Sequence, residues 1–214
     1  MKQNEGVIKF QMQFAQSAPL PFESLREISA WRKIFYLTGL IGQDINRYGG
    51  FAYGNISQRL MSFDLSETQT PFIITGSQTG GLDELDENHF SMITACFPDK
   101  NLIIAEGPVQ PSSESMTHGT IYALDSGLQS VIHAHSPSIW YNAKQLGIPF
   151  AHEDVEYGTP EMAYEIYRLF DETDVREKGI FVMGGHEDGV VAFGENIRHA
   201  GLILLNYLAL SFQL

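Results

Sequence analysis

Val131-Ile132-His133-Ala134-His135-Ser136 reads as a strand that delivers two histidines to the edge of a core. Val131 and Ile132 are the buried start, and Pro137 stops the strand just beyond Ser136. Side chains alternate across a strand, so His133 and His135 point to the same side. Two imidazoles on one side can converge on one metal ion. His-x-His alone is equally consistent with two hydrogen-bonded histidines beside a loop, because a short motif is only a hypothesis. The rest of the chain has to supply a third ligand, a base and a place for substrate.

Outward from this stretch, the elements alternate in type. Downstream, residues 138–146 look helical, and Thr159-Pro160 starts another helix with a capping hydroxyl and proline in the first turn. Ile180-Phe181-Val182-Met183 and Val190-Val191-Ala192-Phe193-Gly194 are strands joined by the turn Gly184-Gly185-His186-Glu187-Asp188-Gly189, and a last helix covers residues 195–212. Upstream, a helix is predicted over residues 23–46 from the apolar stripe of Leu25, Ile28, Trp31, Phe35 and Ile45. Residues 1–21 read as polar. Strands follow on both sides of Gly54-Asn55, then a polar loop over 62–71, then the strand Phe72-Ile73-Ile74-Thr75. Residues 90–97 are apolar, Leu102-Ile103-Ile104-Ala105-Glu106 is a strand, and a helix runs from about Pro111 to Asp125 with Ser112 or Ser113 as its N-cap. Interspersed helices and strands without repeats or a linker indicate one α/β domain spanning residues 1–214.

Composition excludes several classes of function. Against 26 acidic residues stand 13 Lys and Arg, a formal charge of -13, which argues against nucleic acid and anionic membrane as partners. The single cysteine, Cys96, rules out an intrachain disulfide framework and reads as a buried, inert thiol. The first residues lack the apolar run of a signal peptide, and no stretch reaches membrane-span length, so a soluble cytoplasmic protein is expected.

His186, in its glycine-rich hairpin, is the natural third ligand beside His133 and His135. Three histidines leave a zinc ion one open position for water or substrate. Mn²⁺ or Fe²⁺ is also compatible, since imidazoles do not select sharply among these ions. Glu114, at a helix start shortly before the histidine strand, is the candidate acid/base. His118, four residues on, could pair with it. Asn55, Ser57, Thr75, Gly76, Ser112 and Ser113 could together hold a phosphate through neutral donors, in keeping with the shortage of lysine. The same residue types also cap helices and close turns routinely.

These residues, in this order, resemble the class II aldolase/adducin family. The marks are Gly54-Asn55-Ile56-Ser57, Thr75-Gly76 with Thr79-Gly80, Pro111-Ser112-Ser113-Glu114, His133-Ala134-His135 and Gly185-His186, with Tyr157-Gly158-Thr159-Pro160-Glu161 resembling a further segment. The resemblance is strongest to zinc-dependent sugar-phosphate aldolases of the L-fuculose-phosphate type. It implies a three-layer αβα domain with a mostly antiparallel central sheet. It implies zinc on His133, His135 and His186, acid/base chemistry at Glu114, and phosphate on Asn55, Thr75, Gly76, Ser112 and Ser113, with Ser57 shaping the loop. The implied activity is a metal-dependent lyase that cleaves or forms a carbon–carbon bond in a small sugar phosphate through an enediolate. Dehydration or epimerisation of a sugar phosphate, and non-catalytic adducin-like binding, are the alternatives. A homotetramer is implied as well. Two departures stand out. Glu187 replaces a glycine and is expected to place an extra carboxylate beside the metal pocket. The stretch between His135 and Tyr157 is short, which leaves Tyr141 as the candidate for a tyrosine that serves a neighbouring subunit.

Overall fold

The computed structural model describes residues 6–60 and 71–214. Most of the polar loop expected over 62–71 therefore lies outside the described residues. In chain order the strands are β1 (Gln11–Gln16), β2 (Gly42–Gln43), β3 (Ala52–Tyr53), β4 (Asn55–Arg59), β5 (Phe72–Thr75), β6 (Phe90–Phe97), β7 (Leu102–Gly107), β8 (Ser130–His135), β9 (Ile180–Val182) and β10 (Gly189–Gly194). The helices are α1 (Phe22–Leu37), α2 (Ser115–Leu124), α3 (Pro137–Asn142), α4 (Pro160–Glu172), α5 (Val175–Lys178) and α6 (Ile197–Ser211).

Eight strands form one sheet in the order β1-β7-β6-β5-β4-β8-β10-β9. Among the described residues of this sheet only β1 runs parallel to its neighbour, β7; the other strand pairs are antiparallel. Strand alternation splits the apolar residues into two layers. Val131, Val191, Phe193 and Ile74 pack with Met116 and Ile121 of α2 and Met162, Ile166 and Leu169 of α4. Ile132, Ala134, Val190 and Ala192 pack on the other face with Leu25, Ile28 and Phe35 of α1, Ile139 of α3, and Ala200 and Leu204 of α6. This is the three-layer αβα arrangement expected, and it puts His133 and His135 on the α2 face, with Val131. Among the described residues no helix is long and apolar enough to cross a membrane.

Several boundaries differ from the sequence reading. α1 ends at Leu37, because Gly39 takes a left-handed conformation (φ 73°); Ile45, counted in its stripe, is 83% exposed. The polar-looking start contains β1. The helix expected from Pro111 begins at Ser115, with Glu114 in the N-cap position and no side-chain cap. Neither Ser112 nor Ser113 is the N-cap; the Ser112 Oγ instead accepts from the Glu114 N–H (3.3 Å). The charged turn expected over residues 171–178 contains the short helix α5.

Candidate active site

β8 lies between β4 and β10, pairing His133 with Asn55 and His135 with Gly189. The turn over residues 183–188 closes on itself through His186 N–H to Met183 O (3.2 Å) and Gly189 N–H to His186 O (2.9 Å). It also presses against the chain at residues 151–155. A Cβ on Gly184 would sit 2.2 Å from the Ala151 carbonyl oxygen, and one on Gly185 2.1 Å from that of Val155. The two glycines let the turn seat deeply enough to bury His186 beside the β8 histidines. His133, His135 and His186 each offer a ligand atom within 4.8 Å of the others, and the Nε2 atoms of His135 and His186 are 3.1 Å apart.

α2 brings Glu114 to this cluster by a match of repeats. Four residues of helix rise roughly 6 Å, close to the roughly 6.6 Å of two strand residues. Glu114, His118 and Tyr122 therefore run alongside Asn55, Ser57 and Arg59 of β4. His118 Nδ1 and Tyr122 Oη each lie 2.7 Å from the Ser57 Oγ, and Arg59 donates to the Tyr122 carbonyl. Glu114, at the open end of this seam, is 2% exposed. Its Oε2 accepts from the Thr117 hydroxyl (2.9 Å). Its Oε1 lies 4.0 Å from both His133 Nδ1 and His186 Nε2. Asn55 Nδ2 lies 3.3 Å from His133 Nδ1. His118 thus pairs with Ser57 and not, through its side chain, with Glu114.

Burial sets the protonation of the cluster. It pushes the Glu114 carboxyl up to about 7, against smaller downward pulls from Thr117 and the charge of Lys9. It pushes His133 down to about 3 and holds His135 and His186 well below the ordinary histidine range, reinforced by the neighbouring imidazoles. Neutral imidazole is the form that binds a metal. Among the described residues the buried Glu114 Oε1 and His133 Nε2 have no hydrogen-bond partner, which leaves a carboxylate oxygen and an imidazole nitrogen in want of a cation. The donor set fits a divalent metal.

The expected phosphate residues divide. Asn55, Gly76, Ser112 and Ser113 line one small cavity of about 20 Å³ together with Glu114 and His133. The Gly76 N–H is not available to a phosphate, because it donates to the His89 carbonyl (2.8 Å). Ser57 is fully buried beneath α2, and the Thr75 hydroxyl accepts from the Ile56 N–H (3.2 Å). Glu187 is exposed, so it does not enter the metal pocket; the carboxylate that turns inward is its neighbour Asp188. Tyr141 is 70% exposed, with its ring against Trp140. The tyrosines that wall the histidines from within the chain are Tyr48 and Tyr53, 4.5 and 5.1 Å from the His135 ring between centroids, and Tyr157, 4.5 Å from that of His186. Of these, only Tyr157 fell within a recognisable sequence pattern. A roomier cleft of about 280 Å³, lined by Arg59, Phe72, Cys96, Gly119 and Tyr122, contains none of the histidines.

An αβα fold with three buried histidines and a carboxylate at one end of its sheet defines a class of candidate metal-centre proteins. Residues 44–208 match the family described as Class II Aldolase and Adducin N-terminal domain, and the chain belongs to it. No curated protein sequence matches the chain. Among solved structures it is similar to a sugar-phosphate aldolase from Thermotoga maritima (17% identity, 89% of this chain and 94% of that one, TM-score 0.63). It is also similar to an L-fuculose 1-phosphate aldolase (20% identity, 90% and 84%, TM-score 0.61) and to the L-fuculose-1-phosphate aldolase of Thermus thermophilus (18%, 84% and 83%, TM-score 0.53). At these identities the likeness is one of fold.

Proposed function

We propose that this chain is a divalent-metal-dependent aldolase that cleaves or forms a carbon–carbon bond in a small sugar phosphate. The observation that carries this reading is Glu114, buried 4.0 Å from both His133 and His186 in a three-histidine cluster. His133, His135 and His186 would hold the metal, with zinc the first choice for three imidazoles and an open position. When bound, that ion supplies Lewis acidity toward the carbonyl oxygen of a ketose. Glu114, pushed up to about 7, is poised to take up and return a proton at the carbon adjoining that carbonyl. Asn55 orients His133. The rings of Tyr48, Tyr53 and Tyr157 keep water from the flanks of the site. Asn55, Ser112 and Ser113 offer side-chain donors to the substrate. The assembly we favour is a homotetramer of one-domain subunits in the cytoplasm.

The test is a turnover assay of zinc-loaded protein on a panel of phosphorylated ketoses of five and six carbons. Release of an aldehyde and a phosphorylated ketone, abolished by chelation, supports the reading. Conversion of the same substrates without carbon–carbon cleavage would replace it with dehydration or epimerisation. No turnover of any phosphorylated ketose by fully metallated protein would defeat it.

A further inference from the structure

Residues 6–10 precede the region matched to the family and run along the histidine site. Gly6 lines the small cavity beside Ser112, Ser113, Glu114 and His133. The Val7 N–H donates to the Tyr157 Oη (3.2 Å), and the ring of Tyr157 is the one packed on His186. Lys9 places its Nζ 3.9 Å from the centroid of the same ring and 2.9 Å from the Glu156 Oε2. The segment is fixed at its far end. Phe10 is buried in the core, the Asn101 side chain donates to the Lys9 carbonyl (3.1 Å), and the Gln11 N–H donates to the Asn101 carbonyl (2.8 Å).

We propose that Lys9 is the cation that binds the phosphoryl group of the molecule this site acts on, exchanging Glu156 for it. The inference rests on the reading of the site as one for a phosphorylated substrate. Three observations support it. The cradle is short of backbone donors: the Gly76 N–H goes to His89 O, Ser77 to Gln110 O and Ser112 to Thr75 O. The chain is acidic and holds a buried carboxylate at the site, so a phosphate needs a local positive charge. Arg47, the cation beside Tyr48, is committed to the buried Asp188, whereas the partner of Lys9 is exchangeable. Glu156 is 55% exposed and the Lys9 side chain 20%; an exposed ion pair is weak and easily screened. The aromatic face of Tyr157 meanwhile holds the ammonium, and the same ring packs on His186.

The experiment titrates zinc-loaded protein with glycerol 3-phosphate, using glycerol as the control, and reads the dissociation constant by calorimetry. Wild type is expected to prefer the phosphorylated compound. Lys9→Gln should weaken that binding by about tenfold or more, the scale of a lost charge-assisted hydrogen bond. Lys9→Arg should stay within about threefold of wild type, and Glu156→Gln should bind more tightly. Unfolding midpoints and zinc content, both expected unchanged, separate a binding role from a structural one. Equal affinity in wild type and Lys9→Gln, or no preference for the phosphate in wild type, overturns the inference. Ketose cleavage by wild type with an unaltered KM in Lys9→Gln overturns it alone. A Lys9-dependent phosphate preference without aldol turnover overturns the aldolase reading alone.

Discussion

Arg47 and Asp188 form an ion pair across 141 residues of sequence, and it closes one flank of the histidine centre. The Asp188 side chain is 1% exposed and that of Arg47 40%. The Tyr48 hydroxyl donates to the same carboxylate oxygen (2.6 Å), and the Tyr48 ring packs edge-on against His135. Asp188 also ends the turn that carries His186, with its carbonyl accepting from the Ser136 N–H (2.9 Å). Asp188 thus ties three parts together: its carboxylate holds Arg47 and Tyr48, and its backbone joins the end of β8 to the turn of the third histidine.

Arg47→Ala should therefore cost more than an ordinary surface change. Removing one partner of a fully buried pair costs about 3–5 kcal/mol. Arg47 is partly solvated and Tyr48 remains, so about 2 kcal/mol is expected. Chemical denaturation of metal-free protein reads it directly. A loss within about 0.5 kcal/mol, the range of neutral surface substitutions, would show that the pair contributes little.

Wild-type protein purified without added metal should contain about one divalent ion per chain, as a three-histidine site implies. His135→Ala should lose it, and equal metal in the two proteins would sink the assignment. Chelation should also lower the unfolding midpoint of wild type but not of the variant. Free metal at a hundred times its dissociation constant stabilises the folded state by about 2.7 kcal/mol.

The histidine strand, the hairpin of His186 and the position of Glu114 were legible because each has a local signature: alternation, paired glycines, and a helix start. β1 was legible in hindsight only. Gln11-Met12-Gln13-Phe14 alternates as a strand should, but its glutamines made the segment read as a polar tail, and its partner β7 lies far along the chain. Ser57 looked like a loop donor because nothing local announces that α2 lies over it. Nothing in the sequence separates Asp188 from Glu187, since adjacent carboxylates are alike in sequence and only the turn decides which faces inward. Here Asp188 takes a left-handed conformation (φ 65°). The roles of Tyr48, Tyr53 and Lys9 depend wholly on contacts between distant parts of the chain, which leave no local trace.

Cys96 should be inert in the folded protein. Burial pushes its thiol up to about 12, and it packs so closely on α2 that a Cβ on Gly119 would lie 2.4 Å from its sulfur. At pH 8 the folded thiol is therefore far less ionised than that of an unfolded chain, of which roughly a quarter is thiolate. Alkylation by iodoacetamide, followed by mass spectrometry, should be slower by orders of magnitude in native than in denatured protein. Comparable rates would mean that the cleft Cys96 lines admits the reagent and that burial does not hold the thiol protonated.

Glu114→Gln gives two opposite expectations. Turnover on the true substrate should fall about a hundredfold or more, the usual scale of general acid–base help, while zinc and fold are retained. Stability of the metal-free protein should move the other way. Burial raises the folded-state value of Glu114 from 4.5 to about 7, so the folded protein holds this proton more tightly than the unfolded chain does. Its favourable contribution is complete below about pH 4.5 and is lost as pH rises through about 7. At pH 8 the wild type therefore carries an ionised carboxylate in a buried site, at a cost on the order of 3 kcal/mol. The amide removes that cost. In denaturant unfolding of chelator-treated protein, Glu114→Gln should be more stable than wild type at pH 8, and the advantage should shrink steadily toward pH 5. A variant that is less stable than wild type at pH 8 by the same measurement would mean that the carboxylate is solvated or already paired.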